Sequence, residues 1–140
     1  MKISARNVLA GTVEKVTKGA VNAEVNLKLE GGEKITAIIT NASADALKLK
    51  KGDAAFAVVK ASEVMIGTEM DGAKLSARNV LSGVVSKVQD GAVNSEVILT
   101  LPGGSKVVAS ITKASAKALG LKKGKEASAV IKASNVMVGV

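Results

Sequence analysis

The chain has 140 residues and carries 20 Lys and Arg against 12 Asp and Glu, a net charge of +8, with no His, Cys, Trp or Tyr and one aromatic residue, Phe56. That inventory excludes Ser-His-Asp and Cys-His nucleophile pairs, zinc fingers, soft-metal sites and disulfides, and leaves no aromatic platform for a base, sugar or flavin ring. Its 47% hydrophobic content suffices for an aliphatic core, while no run reaches the ~20 apolar residues of a membrane span and Met1 to Asn7 lacks a signal-peptide apolar stretch, so a soluble intracellular protein is expected.

In chain order, a first strand is predicted over about Val8 to Val16. From Val21 to Leu29 the residues Val21, Ala23, Val25, Leu27 and Leu29 alternate with Asn22, Glu24, Asn26 and Lys28, the period of two that a half-buried strand requires. Glu30-Gly31-Gly32-Glu33 makes a turn, and Lys34 to Thr40 offers Ile35, Ala37 and Ile39 to the same face, which completes a hairpin. Ser43 to Leu47 suits a short capped helix, followed by a Lys50-Lys51-Gly52 turn, a strand over Ala54 to Lys60 and a short strand over Val64 to Ile66. Three strands, a small helix and two more strands resemble a five-stranded OB-type barrel.

The pattern then repeats at a constant shift of 72. Ile3-Ser4-Ala5-Arg6-Asn7-Val8-Leu9 returns as Leu75-Ser76-Ala77-Arg78-Asn79-Val80-Leu81, and Leu49-Lys50-Lys51-Gly52 returns as Leu121-Lys122-Lys123-Gly124. Residues 1–68 align without a gap on 73–140 with 43 identities, so the expected organisation is two copies of one domain, 1–68 and 73–140, joined by the polar connector 69–72. The fold class is all-β, two tandem OB-like five-stranded barrels each with a short helix. A copy of this size has a marginal core by itself, so association between copies or chains is expected. Charge divides unevenly, +3 in copy one, +7 in copy two and −2 in the connector.

Four segments keep polar or glycine-rich residues in both copies: Ser4-Ala5-Arg6-Asn7, Gly19-Ala20-Val21-Asn22, Ile39-Thr40 with Ser43, and Lys60-Ala61-Ser62. Each alone has an ordinary reading, as a strand start, a turn, a helix cap and a strand end. Together they supply hydroxyl, amide, guanidinium, ammonium and backbone N–H donors, which is what a compact oxyanion made only of acceptors needs. Glu24 and Glu96 also repeat, and an acid near an anion pocket is favourable only when paired, so they are read as ion-pair partners that orient Arg6 and Arg78. The lysine-rich turn at Lys48 to Lys51 reads as solvated surface.

At these residues the chain resembles the molybdenum-pterin-binding (Mop) family in its tandem, di-Mop molbindin form. The resemblance rests on Ser-Ala-Arg-Asn at 4–7 and 76–79, Gly-Ala-Val-Asn-x-Glu-Val at 19–25 and 91–97, and Lys-Ala-Ser-x-Val-Met at 60–65 and 132–137. It implies cytoplasmic binding of molybdate and also tungstate, storage and homeostasis of molybdenum, and a homotrimer with sites between subunits. One site class would use Ser4, Ala5, Arg6, Thr40, Ser43, Lys60, Ala61 and Ser62, with Ser76, Ala77, Arg78, Thr112, Ser115, Lys132, Ala133 and Ser134 from the second copy. A second, near the threefold axis, would use Gly19, Ala20, Val21 and Asn22 with Gly91, Ala92, Val93 and Asn94.

The copies differ where Glu63 becomes Asn135, Lys18 becomes Asp90 and Asn26 becomes Ile98, so sites built from unlike copies are expected to differ in affinity. The resulting expectation is a non-enzymatic oxyanion-binding protein with no catalytic cofactor, no metal-cation site and no nucleic-acid partner. The alternatives are an OB-type nucleic-acid module, suggested by the charge and opposed by the missing aromatics, and a molybdate-sensing effector domain.

Overall fold

The computed structural model describes all 140 residues. Copy one contains β1 (Asn7–Lys18), β2 (Asn22–Leu29), β3 (Lys34–Thr40), α1 (Asn41–Ala46), β4 (Ala54–Val59) and β5 (Met65–Gly67). Copy two follows with β6 (Asn79–Asp90), β7 (Asn94–Thr100), β8 (Lys106–Thr112), α2 (Lys113–Ala118), β9 (Glu126–Ile131) and β10 (Met137–Gly139). A single 3-10 turn, Ala61–Glu63 or Ala133–Asn135, links the last two strands of each copy. No helix is long and apolar enough to cross a membrane.

The alternation read at Val21 to Leu29 is realised in β2 from Ala23 on, where Ala23, Val25, Leu27 and Leu29 are buried and Asn22 and Lys28 are exposed, while Val21 falls in the turn before the strand and is exposed. β1 runs two residues beyond the expected Val16 because its pairing with β2 continues through Lys18 opposite Ala23, past a bulge between Val13 and Lys15. Its first half pairs with β4 instead, from Asn7 opposite Val59 to Thr12 opposite Ala54. The helix begins at Asn41 rather than Ser43, since the Thr40 hydroxyl accepts the Ser43 N–H at 3.0 Å and so takes the N-cap position.

The two five-stranded sheets run in the orders β10-β4-β1-β2-β3 and β5-β9-β6-β7-β8. Each therefore takes its fifth strand from the other copy. Met65, Ile66 and Gly67 pair with Val130, Ala129 and Ser128, while Met137, Val138 and Gly139 pair with Val58, Ala57 and Phe56. The sequence repeats 1–68 and 73–140 are thus not two self-contained sheets, because parting them would strip an edge strand and its backbone hydrogen bonds from both. A core cluster of 22 buried residues runs without a break from Leu9 to Val136 and draws on both copies.

Two further contacts lock the halves together. Asn7 and Asn79 are buried and bond backbone groups of the opposite copy, Asn7 to Val108 and Asn79 to Thr36. At the hairpin tips Gly31 lies against Gly103, where a side chain on either would run into the other's backbone, and Glu33 accepts the Gly103 N–H at 2.9 Å.

Candidate functional site

Two open cavities hold the repeated donor segments. Cavity A, of about 380 Å³, is lined by Ile3, Ser4, Ala5, Arg6, Lys60, Ala61, Ser62 and Met137. Cavity B, of about 460 Å³, is lined by their repeat counterparts Leu75, Ser76, Ala77, Arg78, Lys132, Ala133 and Ser134, with Met65 in the place of Met137 and an added wall that includes Ile38, Ile66, Met70 and Val130. The structure therefore brings together the segments before β1 and after β4, about 55 positions apart in the sequence, because β1 pairs with β4. Strand exchange explains the methionines: Met137 on β10 reaches the cavity of copy one, and Met65 on β5 that of copy two.

The arginines are held across the copies. Arg6 donates to both carboxylate oxygens of Glu96 at 2.6 and 2.9 Å, and Arg78 to both of Glu24 at 3.2 and 2.9 Å. This is the orienting role expected of the two acids. Hydrogen bonding to the guanidinium holds the carboxyls of Glu96 and Glu24 below their ordinary value of 4.5 and raises the partner arginines. Each bidentate pair fixes the plane of a guanidinium while neutralising its charge locally, and the unused N–H groups remain as oriented donors. Lys60 and Lys132 form no ion pair within the chain, so they carry the uncompensated positive charge of the two cavities.

Local folding places the remaining donors. After Lys60 the chain enters a 3-10 turn whose own hydrogen bonds start at the Glu63 N–H, which donates to the Lys60 carbonyl at 2.9 Å. The N–H groups of Ala61 and Ser62 precede that first bond and, as at any helix start, have no partner within the turn. The Lys132 turn repeats this with Asn135. Each cavity is thus lined by hydroxyls, a fixed guanidinium, an ammonium and turn amides.

Thr40, Ser43, Thr112 and Ser115 line neither cavity of the single chain. Thr40 and Thr112 cap α1 and α2, and each hydroxyl donates to the serine three residues on at 2.8 Å. They lie instead beside the glycine turns: Thr40 pairs with Asn22, and the Asn41 N–H donates to the Val21 carbonyl at 2.8 Å. Within Gly19 to Asn22 the Gly19 N–H already donates to the Asn22 carbonyl at 2.7 Å, as Gly91 does to Asn94. Val21 and Val93, at the tips of these turns, are 71% and 72% exposed in the single chain.

Sequence reasoning did not anticipate Ile38, Met70 or the opposite-copy methionines as cavity walls. The Asn7 and Asn79 amides, grouped with the anion donors on sequence, are instead consumed by backbone contacts between the copies.

The TOBE domain profile matches the chain twice, over residues 3–66 and 75–138. Over its whole length the chain is 46% identical to the molybdenum-pterin-binding protein MopA of Rhodobacter capsulatus and 45% identical to the molybdenum transport protein ModE of Herbaspirillum seropedicae. The chain spans about half the length of these curated relatives, 53% and 52%. Molybdenum-pterin-binding protein 3 of Clostridium pasteurianum is 50% identical over 66 residues, which are 47% of this chain and 97% of that protein. A crystal structure of the cytoplasmic molybdate-binding protein ModG with molybdate bound superposes with a TM-score of 0.97 at 53% identity, covering 100% of this chain and 99% of that one.

Proposed function

We infer that this chain, which belongs to the TOBE-domain family and carries the domain twice in the molybdenum-pterin-binding form, binds molybdate. The observation that carries this is the pair of repeat-related cavities, each lined by serine hydroxyls, a carboxylate-fixed guanidinium and an ammonium without an ion-pair partner. A tetrahedral dianion offers only acceptors, and in these cavities its water shell would be exchanged for donors already held in place. The ModG structure with molybdate bound, similar over the full length, supports the same ligand. Tungstate, of the same shape and charge, would be taken as well.

Binding and release by such sites need no covalent step, and we assign the protein to reversible storage of molybdate in the cytoplasm rather than to catalysis. Ser4, Arg6, Lys60 and Ser62, with Ser76, Arg78, Lys132 and Ser134, form the first class of site. The Gly19–Asn22 and Gly91–Asn94 turns, with the adjacent Thr40 and Thr112, form the second. Both cavities are open, and Ile3 and Leu75 beside them are more than half exposed, which supports a homotrimer in which neighbouring chains cover the sites and the exposed valines. Bound ligand would then stabilise the assembly by mass action.

Titration calorimetry with molybdate tests the reading. Saturable binding at micromolar ligand is expected, weakened at one set of sites by Lys60→Ala and at another by Lys132→Ala. Absence of saturable binding in the unaltered protein refutes it.

A further inference from the structure

Cavities A and B carry the same donors but different walls. Ile38 lines cavity B from the copy-one strand β3, which packs against the 3-10 turn at Ala133–Asn135. Its repeat counterpart is Ser110 on β8, which does not line cavity A. The connector adds a second difference. It doubles back after β5, with Glu69 at φ +54° and Gly72 at φ +74° and the Ala73 N–H donating to the Met70 carbonyl at 3.0 Å. This seats the half-buried Met70 on Gly67, where an added Cβ would lie 2.5 Å from the Met70 sulfur. Gly139, the counterpart of Gly67, has the Met1 side chain against it, but Met70 lines cavity B whereas neither Met1 nor any connector residue lines cavity A.

We propose that Met70 and Ile38 are specificity-determining residues which make cavity B the more selective oxyanion site, favouring a large, weakly hydrated dianion over a smaller one such as sulfate. The proposal rests on the oxyanion-binding reading above. Shape, charge and donor set are common to tetrahedral dianions, so discrimination has to come from size and hydration. The cost of taking an ion out of water falls as its radius grows, and it is felt most where apolar walls exclude water from the ion's open side. Cavity B is lined by Ile38 and Met70 as well as by Arg78 and Lys132. Sulfate, the more strongly hydrated guest, would therefore lose more on entering B than on entering cavity A, which neither Ile38 nor Met70 lines.

The test is competition calorimetry on the full chain, molybdate against sulfate, in a Lys60→Ala background that reports cavity B and a Lys132→Ala background that reports cavity A. Met70→Ser and Ile38→Ser, the latter restoring the serine that copy two carries, are each expected to lower the molybdate preference at B by about tenfold, in line with the loss of one half-buried apolar contact. Met70→Leu should keep the preference, and Met70→Ser should leave cavity A unchanged. Equal sulfate discrimination in the two backgrounds, or the same response to Met70→Ser in both, overturns the proposal while leaving molybdate binding intact. Absence of molybdate binding in the unaltered chain would instead remove the underlying reading.

Discussion

Asn7 is 1% exposed, and its amide spans three strands. Nδ2 donates to the Val59 carbonyl of β4 at 3.2 Å and to the Val108 carbonyl of β8 at 2.8 Å, while Oδ1 accepts the Val108 N–H at 2.7 Å. The side chain thus acts as a short piece of strand laid along β8, joining the sheet of copy one to that of copy two. Asn7→Ala removes all three bonds. At a net ~0.5–1.5 kcal/mol each, the bonds alone account for about 1.5–4.5 kcal/mol, and stranded partners in buried surroundings add to that. Val108 is half-buried, so water can re-satisfy part of its backbone, and a loss of about 2–4 kcal/mol is expected. Urea unfolding of the full chain, read as a fall in midpoint at unchanged slope, measures it. Asn79→Ala removes two bonds, both to Thr36, and should cost less. A loss under about 1 kcal/mol for Asn7→Ala, or the reverse ranking, would refute the view that these amides staple the copies.

Two other perturbations test the electrostatics and the backbone. Glu24 and Glu96 have folded-state values held below 4.5 by their arginines, so their stabilising contribution is complete above that value and is lost as pH falls through the lowered one; urea midpoints measured from pH 6 down to pH 3 should fall less steeply in the Glu24→Gln/Glu96→Gln variant, and identical profiles would show that the pairs contribute nothing. Lys48 sits in the left-handed region at φ +53° after α1, where copy two has Gly120 at φ +62°, and Lys48→Gly should raise stability by up to about 1 kcal/mol, read from the urea midpoint.

How far the residues foretold the site depended on whether a feature was local. The alternation in β2 was readable because a strand against a core imposes a period of two on its own residues. The Arg–Glu pairing was readable because the same two residue types recur in both copies, as Arg6 and Arg78 with Glu24 and Glu96, and an acid beside an anion site calls for a cation. Thr40 was readable as the cap of α1, a contact three residues long, but its place beside the glycine turn follows from the register of β2 on β3. Asn7 carried no signal of its partner, Val108, which lies 101 positions away. The Ile38 and Met70 walls were equally silent, since each reaches cavity B only through contacts between the copies.

Composition and the 72-residue repeat were enough to determine the aliphatic all-β class, two homologous halves, the exclusion of nucleophile and soft-metal chemistry, and a duplicated set of oxyanion donors. Each of these depends on residue type or on short-range order, which a linear string records directly. Which half completes which sheet was settled only in three dimensions. β5 and β10 are three residues long, too short to carry a pattern that distinguishes one open edge from its near-identical counterpart. Their destination is selected by the whole packed assembly of turn, connector and shared core, and with it the identity of the walls around each cavity.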